Sequence, residues 1–161
     1  MATGTETRRR VRPKRSRAAK ADGRFRSVEE LEEVLNRALA EVDADERSGS
    51  LLRATGMRLR FRFPDAGTVL NLAASEEGGH HVRWAFSDDV DWEPKLELTM
   101  DTETANAYLQ GKESLAIAIA RGKIRCKGDA RTALLYVPAA RLLADPYRRL
   151  IRADFPHLAL D

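Results

Sequence analysis

Cys126 is the only cysteine in 161 residues, which excludes an internal disulfide and any cysteine-rich metal site. Histidine is nearly as scarce. His80 and His81 are neighbours in a strand-like run, so their side chains should leave on opposite faces, and His157 lies near the C-terminus; no metal site is expected from the three. No run approaches the ~18 consecutive apolar residues of a membrane span. The basic N-terminus lacks the apolar stretch that a secretory signal carries behind its charges.

Catalytic motifs are missing as well. There is no G-x-S-x-G and no G-x-G-x-x-G, and neither Gly111-Lys112 nor Gly122-Lys123 belongs to a phosphate loop, because Asn106 and Ile117 stand where the first glycine is required. Asp88, Asp89, Asp91 and Glu93 lack the glycine and late glutamate of a calcium loop and read as a solvated turn. Cys126 alternates with Ile124 on an apolar face and has no partnered histidine, so it reads as a core thiol. The expectation is a protein that is not an enzyme and uses no cofactor.

Charge, by contrast, is plentiful and uneven. Residues 1–26 hold ten basic and two acidic side chains, whereas the rest of the chain is net −5. Large apolar residues are almost absent from that start, so 1–26 is expected to be a disordered basic tail and 27–161 a single domain with enough length for a real core. Clustered arginines over 8–26 suit a nucleic acid or an anionic membrane. Solvation alone is the plainer account, and no aromatic residue before Phe25 is there to stack on bases.

Within the domain, Ser27 and Glu30 form a capping box, and Leu31, Val34, Leu35, Ala38, Leu39 and Val42 recur at helical spacing. Asp43 to Ser50 reads as a loop. Met57, Leu59, Phe61 and Phe63 then alternate with Arg58, Arg60 and Arg62, a period-two signal that Pro64-Asp65 ends. Thr68 to Ala74 follows a hairpin turn. After a second turn at Glu76 to Gly79, Val82, Trp84 and Phe86 alternate with His81, Arg83 and Ala85, and Leu96, Leu98 and Met100 with Lys95, Glu97 and Thr99. These four strands are expected to be consecutive and antiparallel. One face of the sheet would be apolar and need helices over it; the other, with Arg58, Arg60, Arg62, Arg83, Lys95, Lys123, Arg125 and Lys127 diluted mainly by Glu97, would meet water or dock an anionic surface.

Leu109 to Ala133 organises the rest. Asp101 caps a helix that Gly111 ends, a short helix runs to Gly122, Lys123 to Lys127 form a fifth, alternating strand, and Gly128-Asp129 turns into a helix that Pro138 should break or kink. Asp145-Pro146 reads as the start of one more helix.

That order, Gly-Lys, short helix, Gly-Lys, basic strand, Gly-Asp, helix, resembles the C-terminal half of the sterol carrier protein 2 family, best over Lys95 to Leu143. The resemblance implies an α+β fold: a five-stranded, mainly antiparallel sheet with helices packed on one face and a hydrophobic cavity between them. It also implies non-catalytic binding, and intracellular transfer, of a sterol, fatty acid, acyl-CoA or phospholipid. The inner-face residues Phe61, Phe63, Leu72, Trp84, Phe86, Leu98, Met100, Tyr108 and Ile124 would line the cavity, joined by Leu115, Ile119, Leu134 and Val137 from the helices. A ligand-free interaction module of the same fold and a nucleic-acid-associated protein acting through the tail are the two rivals. The last residues carry no serine-lysine-leucine type peroxisomal address, and a cytoplasmic protein is expected.

Overall fold

The computed structural model describes residues 21–161 except Glu76. The disorder expected over residues 1–20 therefore lies outside the described residues, as does the turn position at Glu76.

Ser27 starts α1 (Val28–Ala44) with its hydroxyl accepting from the Glu30 N–H at 3.1 Å. The other half of the expected capping box is not made: the Glu30 carboxylate turns instead to His157, in the turn that ends the chain. α1 buries two adjacent ridges. Leu31, Leu35 and Leu39 recur every fourth residue on one, and Val34, Ala38 and Val42 on the next.

The region read as a loop is mostly helical, α2 (Glu46–Ala54), with Asp45 accepting from the Ser48 N–H. Gly49 misled the reading. It is buried in α2 because the His81 ring lies over it, so close that a Cβ would stand 2.3 Å from His81 Cδ2.

Five strands follow: β1 (Arg58–Phe63), β2 (Thr68–Ala74), β3 (Val82–Ala85), β4 (Leu96–Thr99) and, after α3 (Thr102–Leu109) and α4 (Leu115–Ala120), β5 (Arg125–Gly128). Their order in the sheet is β3-β2-β1-β4-β5. The expected run of four antiparallel neighbours is thus wrong at one place. β4 does not pair with β3; it crosses over to lie parallel to β1, with Leu59 opposite Leu96 and Phe61 opposite Leu98, while the other three pairings are antiparallel. Pairing between segments distant in sequence leaves no mark on local alternation. The faces follow the expected alternation, because cross-strand partners share a face: Leu59 with Leu72, Phe61 with Leu70, Leu72 with Trp84 and Leu98 with Cys126.

Gly111 and Gly122 end α3 and α4 at φ +73° and +75°, the left-handed conformation open to glycine. Asp65, in the β1–β2 turn, accepts from the Thr102 N–H and hydroxyl and so fastens the start of α3 to the sheet. Pro138 does mark a break: α5 (Ala130–Leu135) ends, and α6 (Val137–Asp154) begins with proline in its first turn. Pro146 does not start another helix. It sits inside α6, and Asp145 pairs with Arg148 rather than capping.

The outer sheet face carries more counterions than the Glu97 expected there. Arg60 and Arg62 both pair with Asp88 and Glu97, at 3.1–3.6 Å, and Arg60 Nε also donates to Asn71 Oδ1 at 3.0 Å. Arg83 pairs with Asp91 and lies 4.9 Å from the Trp92 ring. The acidic β3–β4 loop thus supplies counterions to the central arginines. Arg125 and Lys127, on the edge strand, keep the exposed basic character.

Candidate functional site: an apolar cavity under the sheet

A cavity of about 90 Å³ lies between the inner sheet face and the helices. Its floor is sheet: Leu59, Phe61 and Phe63 from β1, Leu70 and Leu72 from β2, Leu96 and Leu98 from β4, then Met100. Phe61 and Phe63 lie parallel with ring centres 6.5 Å apart. Its walls are the Leu31–Leu35–Leu39 ridge of α1, Ala105, Tyr108 and Leu109 of α3, Leu115 of α4, Ala133 of α5, and Ala139, Ala140 and Leu143 of α6. Four of the wall residues are alanines, Ala105, Ala133, Ala139 and Ala140, which leaves the space open.

Of the residues expected to line a cavity, the structure brings together Phe61, Phe63, Leu72, Leu98, Met100, Tyr108 and Leu115. Six others do not line it. Leu134 is a plain correction: it is 59% exposed, because α5 turns Ala133 inward and Leu134 and Leu135 outward. Trp84 lies on β3, an edge strand of the sheet, shares a face with Leu72, and donates from Nε1 to Asn36 Oδ1 of α1 at 2.6 Å. Ile124 is buried in packed core, and Phe86, Ile119 and Val137 are half-buried around it.

Polar groups at the cavity are few. Tyr108 and Tyr136 reach it, and burial pushes both phenols up, with Arg141 partly offsetting this at Tyr108. Asn106 is the third. It is wholly buried and fully bonded: Nδ2 donates to Gly23 O at 3.0 Å and Leu158 O at 2.9 Å, while Oδ1 accepts from Gln110 Nε2 at 2.7 Å and the Tyr147 hydroxyl at 2.6 Å. Gln110 Nε2 also donates to Leu158 O, and its Oε1 accepts from the Leu160 N–H. This polar plug ties α3, α6 and both ends of the described chain together at one end of the cavity.

The plug also engages residues ahead of Ser27. Gly23 is buried, its N–H donates to His157 O, and Phe25 lines the cavity. The tail expected to run to residue 26 thus joins the domain by Gly23. Asn106 and Gln110 were missed as a pair, although their i, i+4 spacing beside Ala105 and Leu109 places two amides on a stripe that faces inward, and that was the available signal.

The histidines are structural. Asp43, in the last turn of α1, accepts from the His81 and Val82 N–H groups at 2.7 and 3.0 Å and contacts His80 Nδ1 at 2.9 Å; His81 Nε2 meets Glu46 at 3.2 Å. Burial pushes the Asp43 carboxyl up, but these hydrogen bonds together outweigh it and hold it below the ordinary carboxylate value. Cys126 is half-buried, and burial pushes its thiol up. Among the described residues no group of three or more His, Cys, Asp or Glu side chains could hold a metal ion, and no helix is long and apolar enough to cross a membrane.

Solved structures share this architecture. Apo sterol carrier protein 2 from Yarrowia lipolytica matches with a TM-score of 0.55 at 12% identity, over 76% of this chain and 97% of that one. A ubiquinone synthesis protein, UbiJ-SCP2, matches at 0.51 and 19%, over 72% and 89%. The likeness to the stereoselective inverting sec-alkylsulfatase Pisa1 of a Pseudomonas species, at 0.46 and 17% over 55% of this chain and only 13% of that much longer one, is too weak to bear on the fold. No curated protein is a match for the sequence. The model of the SCP-2 sterol transfer family matches residues 35–141, a span that runs from the Leu35 ridge of α1 through every strand to the Ala139–Ala140 wall, and the chain belongs to that family.

Proposed function

We propose that the chain binds a lipid, whether sterol, fatty acid, acyl-CoA or phospholipid, in the cavity between sheet and helices, and carries it without covalent chemistry. The observation that supports this best is the composition of the lining. All but Asn106, Tyr108 and Tyr136 are apolar, and Asn106 has already spent its polar atoms on the protein. Each 100 Å² of apolar ligand surface taken out of water there contributes about 2.5 kcal/mol. The Tyr108 and Tyr136 hydroxyls, which have no hydrogen-bond partner among the described residues, are left to orient a polar end. Leu and Met side chains make up much of the lining and can change rotamer, which allows the space to widen around a chain.

Native mass spectrometry of the full chain, lipid analysis of its organic extract and displacement of a fluorescent fatty acid test this directly. A stoichiometric lipid or saturable displacement, lost in Leu98→Asp but kept in a deletion of residues 1–20, is the expected result. A clean apo mass with no displacement would refute the carrier reading and favour a ligand-free interaction module. Binding of nucleic acid that vanishes with the tail would favour the second rival.

A carrier must meet membranes, and residues 112–141 suit an anionic one. Residues 112–141 carry seven basic and two acidic side chains, in a domain that is otherwise acidic, and hold three of the exposed large apolar side chains, Ile117, Leu134 and Leu135. Co-sedimentation with phosphatidylserine vesicles, weakened in Leu134→Ser/Leu135→Ser, checks this contact. A cytoplasmic location goes with the same reading.

A further inference from the structure

Behind the polar plug, on the side of Gln110 away from the cavity, the surface becomes strongly basic. α3 ends at Gln110 and Gly111, Lys112 follows, and α6 presents Arg148, Arg149 and Arg152 toward this turn. With Gln110, Asp145 and Leu160 they line a concavity of about 670 Å³.

Two of the four cations are held in place by protein. Arg148 Nη2 sits 2.5 Å from Asp145 and Nη1 reaches Gln110 O at 3.4 Å; Arg149 Nη2 sits 2.7 Å from Glu41. Lys112 and Arg152 have no anionic partner among the described residues, and Asp161, next to Leu160, pairs with none of the four. The last-turn position of Arg152 suits the dipole of α6, but that accounts for one charge of the four. Four cations against Asp145 and Glu41 leave two positive charges facing one hollow.

We propose that this concavity is a binding site for a phosphate-bearing group. A phosphate monoester brings two negative charges and three terminal oxygens. It would meet the lysine from one wall and the guanidinium groups from the other, the forked donors that favour phosphate. A carboxylate would leave one of the two charges unmatched. The site stands whether or not the cavity holds lipid. Gln110 nevertheless lines the hollow on one side and bonds Asn106, which lines the cavity, on the other. The phosphate therefore has two sources: a water-soluble ester, or the head of an amphiphile whose chain passes Gln110 into the cavity. Only the second rests on the lipid reading.

The test is residue-resolved, because the arginine-rich start of the chain also attracts anions. Amide chemical shifts of the full, isotope-labelled chain are followed at constant ionic strength while inorganic phosphate, glycerol 3-phosphate, acetate or a lysophosphatidic acid below its micelle concentration is added. Saturable shifts at Gly111, Lys112 and Arg152 with phosphate, tighter than with acetate, are expected. Affinity should fall by about tenfold or more in Lys112→Gln/Arg152→Gln, both exposed and unpaired. Acetate binding as tightly as phosphate, or the double variant binding phosphate like the parent, would overturn the site. An amphiphile bound at least about tenfold tighter than glycerol 3-phosphate, with the excess abolished by Leu98→Asp, identifies a lipid head group. Equal affinities identify a soluble ester. Loss of fatty-acid displacement with phosphate binding intact would refute the lipid reading alone.

Discussion

Asn106→Ala should be among the costliest single substitutions in this domain, and its cost can be worked from the bonds it breaks. The variant leaves Leu158 O and Gln110 Nε2 still bonded to each other at 2.8 Å. It orphans the other two partners, Gly23 O and the hydroxyl of Tyr147, a side chain with no exposed surface. A buried polar group without a partner costs about 1–3 kcal/mol, so the pair should cost about 3–5 kcal/mol, a large part of the roughly 5–15 kcal/mol that keeps a domain folded. In a domain of this size that lowers the melting temperature by roughly 6–20 °C. Tyr147→Phe is the comparison. It removes the donor but leaves Asn106 Oδ1 bonded to Gln110, and should cost about 1 kcal/mol. Burial pushes the Tyr147 phenol far up, with the charge of Glu30 adding to the shift, so ionisation does not confuse the result at any ordinary pH. In the Asn106→Ala background, Tyr147→Phe removes an orphan and should be neutral or stabilising. Urea and thermal unfolding of the four proteins, followed by circular dichroism, give the cycle. A loss below about 1 kcal/mol for Asn106→Ala, or the same cost for Tyr147→Phe in both backgrounds, would refute the plug as a cooperative unit.

Three further expectations concern other parts of the fold. Because the folded Asp43 carboxyl lies below its ordinary value, its contribution to stability is complete above the unfolded value of about 3.8 and is lost as pH falls through the folded one. Asp43→Asn should therefore flatten the stability profile in that acid window, and an unchanged profile would contradict the assignment. Gly49→Ala drives a Cβ into the His81 ring and should cost about 1–3 kcal/mol by chemical denaturation. Leu135→Ser, at a position 73% exposed, should shift stability by no more than about 0.5 kcal/mol, so any effect on vesicle binding would be a surface effect.

What the sequence disclosed was what is local. Alternation in Leu59–Phe63 and Leu96–Met100 assigned faces correctly, and side-chain caps at Ser27 and Asp101 marked helix starts. Gly111 and Gly122 marked helix ends because a left-handed C-cap is a property of one residue. Partners distant in the chain were illegible. The parallel β1–β4 pairing, the Asp88 counterion for Arg60 and Arg62, and the His157 partner of Glu30 each join segments whose proximity exists only after folding. The same limit shaped the cavity prediction. Strand periodicity put Phe61, Phe63, Leu72, Leu98 and Trp84 on the inner face, but it cannot distinguish a sheet's middle, where the first four line the cavity, from its edge, where Trp84 packs against α1.

Whether the cavity is a binding space or a packing defect has a physical answer. Protein interiors are close-packed, and an unfilled apolar void costs about 24 cal/mol per Å³, so some 90 Å³ forgoes about 2 kcal/mol. Ala105, Ala133, Ala139 and Ala140 keep it open, each on a helix facing the sheet. Meanwhile the second ridge of α1, Val34, Ala38 and Val42, is fully buried outside the lining, and α1 also packs on α6, so the frame does not depend on filling the space. Ala139→Leu projects three further carbons into the void. It should raise stability by about 1–2 kcal/mol while weakening fatty-acid displacement at least about tenfold, since ligand and side chain compete for one volume. A gain in stability with displacement untouched would mean that ligands bind elsewhere. A loss above about 1 kcal/mol would mean that the helices already meet the sheet without room between them.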